Sequence, residues 1–120
     1  MPGVSKIVHK GKEILFIDYK GTKDVAEMLV ILKQAQKIII QENKEYLQLT
    51  DISNAYATQE YMEAAKKVAK DTPKLATKRA IVGITSPTKK ILLMAYNLVI
   101  GKNGLKPFDN LEEAKDWLVE

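Results

Sequence analysis

The stretch Arg79-Ala80-Ile81-Val82-Gly83-Ile84-Thr85-Ser86-Pro87 contains the signals that decide the fold. Its first six residues are mostly apolar and predict a strand. Ser86 followed by Pro87 is typical of a helix N-cap and the first helical position. The predicted helix runs to Gly101, a residue type that is common just beyond helix ends. A strand followed directly by a helix is the repeating unit of a parallel α/β sheet.

Strand and helix signals alternate along the rest of the chain. Apolar runs predict five strands, at 5–10, 13–19, 45–52, 79–84 and 105–108. Apolar residues at helical spacing predict four helices, which begin near Val25, Thr58, Pro87 and Leu111. A tight turn is expected at Gly11, and Thr22 is the predicted N-cap of the first helix. The order ββαβαβαβα predicts a single α/β domain over 1–120, with a mainly parallel mixed sheet of about five strands flanked by helices.

The apolar pattern also predicts the core. The strand residues expected inside are Ile14, Phe16, Leu47, Leu49, Ile81, Val82 and Ile84. In the last helix, Trp117 is expected to anchor a buried stripe. The third helix is apolar almost all the way round over Ile91–Ile100, with Leu93 and Met94 expected to face outward. Either the last helix covers this excess of apolar surface, or the third helix forms a homodimer or another partner interface.

Composition excludes several classes of protein. The chain has no cysteine, which excludes a disulfide framework, a thiolate zinc site and a cysteine nucleophile. The net charge is only +4 and Arg79 is the single arginine, so we expect no nucleic-acid partner. The apolar run 91–96 is far shorter than the roughly 20 residues of a bilayer span. With no signal-peptide pattern at the N-terminus, these features predict no membrane insertion and a cytoplasmic location.

No motif predicts a cofactor or a bound metal. The segment 83–89 resembles a phosphate loop only superficially, because Thr88 stands where the second glycine belongs. Asp18 and Asp51 follow neighbouring predicted strands, but no histidine or third ligand accompanies them. We therefore predict no cofactor, no metal and no catalytic residue. An enzyme that uses the Asp18 and Asp51 end of the sheet is the weakest alternative.

Candidate regulatory or binding residues gather at one end of the predicted sheet. They follow the carboxyl ends of the strands, where connections diverge and where open α/β sheets bind ligands. They are Asp18, Thr22, Asp51, Ser53, Asn54, Thr85, Ser86 and Lys89. Such hydroxyls and amides beside helix N-termini can bind an anion, and the same residue types are preferred as caps and turn-formers. The sequence leaves both interpretations open.

The succession of these segments resembles a known family. A β-hairpin followed by βα units, with the segments 17–19, 49–54, 80–85 and 106–118, is similar to the uncharacterised bacterial STAS/SEC14-domain, or SpoIIAA-like, proteins. The resemblance extends over nearly the whole chain. It implies the fold of the anti-sigma factor antagonists, which are protein-binding regulators rather than enzymes.

The resemblance also implies a candidate regulatory serine. In the antagonists, a partner kinase phosphorylates a serine in an Asp-Ser-Ser-Gly loop after a central strand. The matching stretch is Asp51-Ile52-Ser53-Asn54, in which Ser53 takes the place of the phosphorylated serine and two other positions depart from the motif. Ser53 begins a predicted loop over 53–57 and is expected to be exposed. The family therefore implies a non-enzymatic regulatory or protein-interaction module.

The alternative function is binding of a small amphipathic or lipid-like ligand between the apolar helices and the sheet. An enclosed apolar pocket above roughly 300 Å³ would favour that ligand. A filled core with a flat apolar patch would instead favour a protein partner.

Overall fold

The computed structural model describes residues 3–55, 58–101 and 103–120. Tyr56 and Ala57 of the predicted loop 53–57 therefore lie outside the described residues. The elements are β1 (Gly3–His9), β2 (Lys12–Asp18), α1 (Val25–Glu42), β3 (Tyr46–Asp51), α2 (Gln59–Asp71), β4 (Ala76–Val82), α3 (Pro87–Ile100), β5 (Leu105–Phe108) and α4 (Leu111–Val119). This succession confirms the predicted alternation of strands and helices in an α/β chain.

The strands form one mixed sheet in the order β1-β2-β3-β4-β5. β1 is antiparallel to β2, and the other neighbouring strands are parallel. The β1–β2 hairpin closes through Lys10 and Gly11, whose φ values of 51° and 81° suit a two-residue turn with left-handed dihedrals. The predicted tight turn at Gly11 is confirmed.

All three parallel connections lie on the same face of the sheet. Each new strand is added beside the previous one, and right-handed crossovers then place α1, α2 and α3 together. The connections stay on one face from β2 to β5, because the strand order never reverses there, whereas the connection after β5 leads to α4 on the opposite face. The expectation that connections diverge at the carboxyl ends is therefore confirmed only between β4 and β5.

Each face of the sheet carries its own hydrophobic core. On one face, Leu15, Ile17, Ile52 and Ile81 pack with side chains from α1, α2 and α3, among them Met28, Leu32, Tyr61 and Leu93. On the other face, Ile14, Leu49, Ala80 and Val82 pack with Ala114 and Leu118 of α4. Four of the predicted core residues are therefore buried on adjacent strands as expected, namely Ile14, Leu49, Ile81 and Val82. Phe16 and Leu47 are only half-buried.

The predicted stripe of α4 is only partly interior. Leu118 is fully buried, whereas Trp117 is half-buried and packs on Phe108 with ring centroids 5.4 Å apart. The Lys78 ammonium lies over the indole, 4.9 Å from the ring centroid. Trp117 therefore closes the edge of this core rather than its centre.

Side-chain caps fix where the helices begin. Thr58, Ser86 and Asn110 accept hydrogen bonds from backbone N–H groups three residues later, which confirms those predicted starts. The prediction of Thr22 as the cap of α1 is wrong. Asp24 immediately precedes the helix, and its carboxylate accepts from Glu27 N at 2.9 Å.

The largest error in the predicted boundaries concerns β4. The strand runs over Ala76–Val82 rather than 79–84, because Gly83 adopts a φ of 97° that extended backbone does not allow. Ile84 therefore follows the strand and is only half-buried. Among the helices of the described residues, none is long and apolar enough to span a bilayer.

Candidate functional site

The carboxyl ends of the parallel strands meet as the sequence predicted. Asp18 is the register partner of Asp51, and Asp51 is the register partner of Val82. Ser53 lies two residues beyond Asp51, and its backbone packs closely against Gly83 at the end of β4. Thr85 and Ser86 lie between β4 and α3, on the connection that also carries Lys89. The structure thus brings most of the predicted candidate residues to one end of the sheet.

The two aspartates at this end hold the loops that follow them. One Asp18 carboxylate oxygen accepts a hydrogen bond from Lys20 N at 2.9 Å, and one Asp51 oxygen accepts from Ser53 N at 2.8 Å. Such bonds to a backbone N–H two residues on are typical of Asx turns. Within the described residues, no three His, Cys, Asp or Glu side chains are grouped as a metal site would require. The aspartates therefore act as turn-formers in this fold.

Lys89 cross-links the ends of β3 and β4. Its ammonium donates to the carbonyl of Ile52 at 2.9 Å and to the carbonyl of Gly83 at 3.0 Å. Burial lowers the pKa of this ammonium, and the nearby Asp51 carboxylate opposes that shift. Because two of its three donors bind backbone carbonyls, Lys89 has little capacity left for an anion.

The serine loop differs from its predicted form. Ser53 is half-buried rather than exposed, and its carbonyl accepts from Gly21 N at 3.4 Å. Asn54 has a φ of 56°, and α2 begins at Gln59. Ser53 therefore lies several residues before the N-terminus of α2, where a helix dipole would have little effect on a phosphate.

Thr22 lies on the inner side of the same end. It is buried, and its hydroxyl has no hydrogen-bond partner among the described residues. Thr85, by contrast, is exposed. The predicted polar set is thus distributed between buried and exposed positions, so it does not form one continuous binding surface.

A second candidate site lies between the sheet and the helices α1, α2 and α3. A cavity of about 90 Å³ is lined by apolar side chains such as Met28, Leu32 and Ile81 and by polar side chains of β3 and β4. This volume is well below the roughly 300–1,000 Å³ of pockets for drug-sized ligands. It is several times the roughly 10–15 Å³ that one water molecule needs.

Three polar side chains of the sheet line this cavity. Gln48 and Arg79 are register partners on β3 and β4, and Thr50 lies two residues beyond Gln48 on the same face. All three are buried, and Gln48 Nε2 donates to the Thr50 hydroxyl at 3.1 Å. Sequence reasoning missed them because alternation along β3 indicates a polar face turned to water. In the structure that face lies under α1–α3.

Arg79 is a buried cation without a carboxylate partner. It is 8% exposed, and its guanidinium donates to the carbonyl of Asn103 at 2.6 Å. No carboxylate lies within 4.0 Å of it, although all fifteen acidic residues of the chain belong to the described residues. Burial raises the pKa of the neighbouring phenols of Tyr46 and Tyr96, and the Arg79 charge opposes both shifts.

The outer face of α3 presents an apolar stripe. Ile91, Met94 and Leu98 are 65%, 67% and 85% exposed and follow the i, i+3, i+7 spacing of one helix face. The expectation that Leu93 faces outward is wrong, since it is buried in the core under α1–α3. α4 packs on the opposite face of the sheet, so it does not cover the stripe.

No protein-family model, curated protein or solved structure matches this chain. The class that the fold defines is an α/β domain with a five-stranded mixed sheet and four helices in its described residues. The resemblance to the STAS/SEC14-domain proteins stays a prediction that depends on the segments that carry it.

Proposed function

We propose that this chain is a non-enzymatic regulatory or protein-interaction module of the STAS, SpoIIAA-like type, acting in the bacterial cytoplasm. It binds its partner through α3, and one partner is a second copy of the chain. The observation that carries the proposal is the exposed apolar stripe formed by Ile91, Met94 and Leu98.

The spacing of the stripe is the one with which helices bind a partner. Apolar anchors at i, i+3 and i+7 fit a groove or another helix, whereas a helix that only covers its own core needs one inward stripe. α3 has both, because Leu93 and Ile100 point inward. Two-fold symmetry would bring the same patch of each copy together, which makes α3 packed on α3 the simplest arrangement.

The other candidate functions have less support. The carboxylates of Asp18 and Asp51 each accept a hydrogen bond from a following backbone N–H, which explains their positions without catalysis. A lipid-like ligand would need more room than the roughly 90 Å³ of the internal cavity. A partner that binds α3 needs neither of these regions.

Met94→Glu is expected to weaken self-association at least tenfold, or by about 1.4 kcal/mol. A carboxylate at the centre of the stripe would have to be desolvated in the interface, and the two-fold axis would bring two such charges together. Sedimentation velocity over a range of concentrations measures the change directly.

Val30→Glu is the matched control, because Val30 is also an exposed apolar residue on a helix, 58% exposed, but lies on α1. The Val30→Glu protein should dimerise with the same constant as the unmutated protein. Equal weakening by both substitutions, or a Met94→Glu protein that associates normally, would contradict the assignment of the interface to α3.

A further inference from the structure

We infer that the cavity between the sheet and α1–α3 is a binding site for a small organic carboxylate, whose charged end pairs with Arg79. This inference goes beyond the proposed function, since it concerns the interior of the domain and not the outer surface of α3.

The cavity lining carries positive charge without a matching negative charge. It includes the cations Arg79 and Lys89 and no aspartate or glutamate. A buried cation without an anionic partner is strongly unfavourable unless something compensates its charge. Asn103 supplies one neutral carbonyl and the Tyr46 phenol is a second neutral acceptor, so neither brings a negative charge to the guanidinium. A bound anion would supply the charge that the chain does not.

The sheet arranges polar side chains around Arg79. Gln48 lies beside Arg79 on the neighbouring strand. The Tyr46 phenol is close enough to Arg79 that burial raises the pKa of the phenol and the Arg79 charge opposes this shift. A planar guanidinium presents paired N–H groups that match the two oxygens of a carboxylate. The strands fix this geometry, because Arg79 and Gln48 both belong to paired positions inside the sheet.

The other residues of the lining select the class of anion. The remainder of the lining is mostly apolar, with Ile17, Met28 and Ile81 among its side chains. A phosphate dianion would need a second free cation, yet the Lys89 ammonium already binds two backbone carbonyls. A carboxylate with a short hydrocarbon chain places one charge on one guanidinium and its apolar part on the apolar wall. The volume of about 90 Å³ limits that chain to a few carbons, since a cavity that binds benzene measures about 150 Å³.

Calorimetric titration of the full chain at pH 7 tests this site. The probes are sodium acetate, propionate, butyrate and hexanoate at constant ionic strength, together with the primary alcohols of the same length and inorganic phosphate. We expect one carboxylate per chain, with affinity rising from acetate and falling again once the chain exceeds the cavity. The matching alcohols should bind at least tenfold more weakly, because they lack the charge-assisted hydrogen bonds.

Two variants locate the carboxylate. Arg79→Met keeps an unbranched side chain without the charge, and it should reduce butyrate affinity at least tenfold. Lys78→Met removes the same charge from the adjacent position, whose side chain points to Trp117 on the opposite face. It should leave butyrate affinity unchanged.

Several results would overturn the inference. In the unmutated protein, these are no carboxylate binding at tens of millimolar carboxylate, equal affinity for alcohols and carboxylates, or tighter binding of phosphate than of carboxylates. In the Arg79→Met protein, the contradicting result is full butyrate affinity. The comparison of carboxylates with alcohols uses the unmutated chain, so it decides the question even if Arg79→Met does not fold.

Discussion

Gly83→Ala is expected to destabilise the domain by about 2–5 kcal/mol, as measured by urea unfolding. Gly83 has a φ of 97°, and a Cβ at this position would lie 2.5 Å from Ser53 N and 2.8 Å from the backbone carbon of Ile52. The unfavourable dihedral costs about 1–2 kcal/mol, and forcing atoms into a packed site costs about 1–3 kcal/mol more. The atoms in the way belong to the backbone, so a side-chain rotation cannot relieve the clash.

Gly21→Ala separates these two costs. Gly21 has a φ of 77°, but a Cβ there would meet no atom within 4 Å. This substitution should therefore cost only the dihedral component, about 1–2 kcal/mol. Equal unfolding free energies for the two variants would show that the β4 end and the Ser53 loop are not in the close contact described above.

Leu118→Ala is expected to lower the free energy of unfolding by about 2–5 kcal/mol, in the range for buried leucines replaced by alanine. Leu118 is 1% exposed and packs with Ile14, Leu49 and Val82 in the core under α4. Ala114 is the only other fully buried α4 residue in that core, so neighbouring side chains on the helix can fill little of the space left behind.

Leu111→Ala is the control for this substitution. It makes the same chemical change on the same helix at a half-buried position, and its cost should be nearer 1 kcal/mol. If chemical denaturation showed that Leu118→Ala costs no more than Leu111→Ala, the second core would not depend on the inner stripe of α4.

The order of elements was predictable because local signals agree with the fold at most positions. Ser86 and Pro87 start α3, Gly101 ends it, and Gly11 provides the left-handed turn dihedral. These residues act through the backbone of their own segment, so their effect does not depend on distant contacts. Thr22 shows the limit of such signals, since Asp24 is also a good cap and lies where the helix begins.

The polar lining of the internal cavity could not be predicted, because it depends on which face of β3 the helices cover. Gln48 and Thr50 alternate with Leu47 and Leu49, a pattern that normally indicates one wet face. Here both faces are covered, so the polar residues became part of the interior. The sequence also marks Arg79 only as the single arginine, and nothing local indicates that it is buried.

The candidate residues at the carboxyl end were predicted in place, and the sequence left open whether they form turns or bind an anion. Asp18 and Asp51 were expected at the ends of neighbouring strands, and the structure makes them register partners there. That their carboxylates bind backbone N–H groups depends on loop conformations that residue type alone does not determine. For the same reason, the sequence could not show that Lys89 binds two strand-end carbonyls.

Methyl NMR of the unmutated protein labelled at its methionines tests directly whether α3 is an association surface. Met94 lies in the exposed stripe of α3, whereas Met28 of α1 and Met62 of α2 are buried. If α3 mediates association, the Met94 methyl signal shifts or broadens between low and high micromolar protein, while those of Met28 and Met62 stay in place. A Met94 signal that is independent of protein concentration over that range would contradict association through α3.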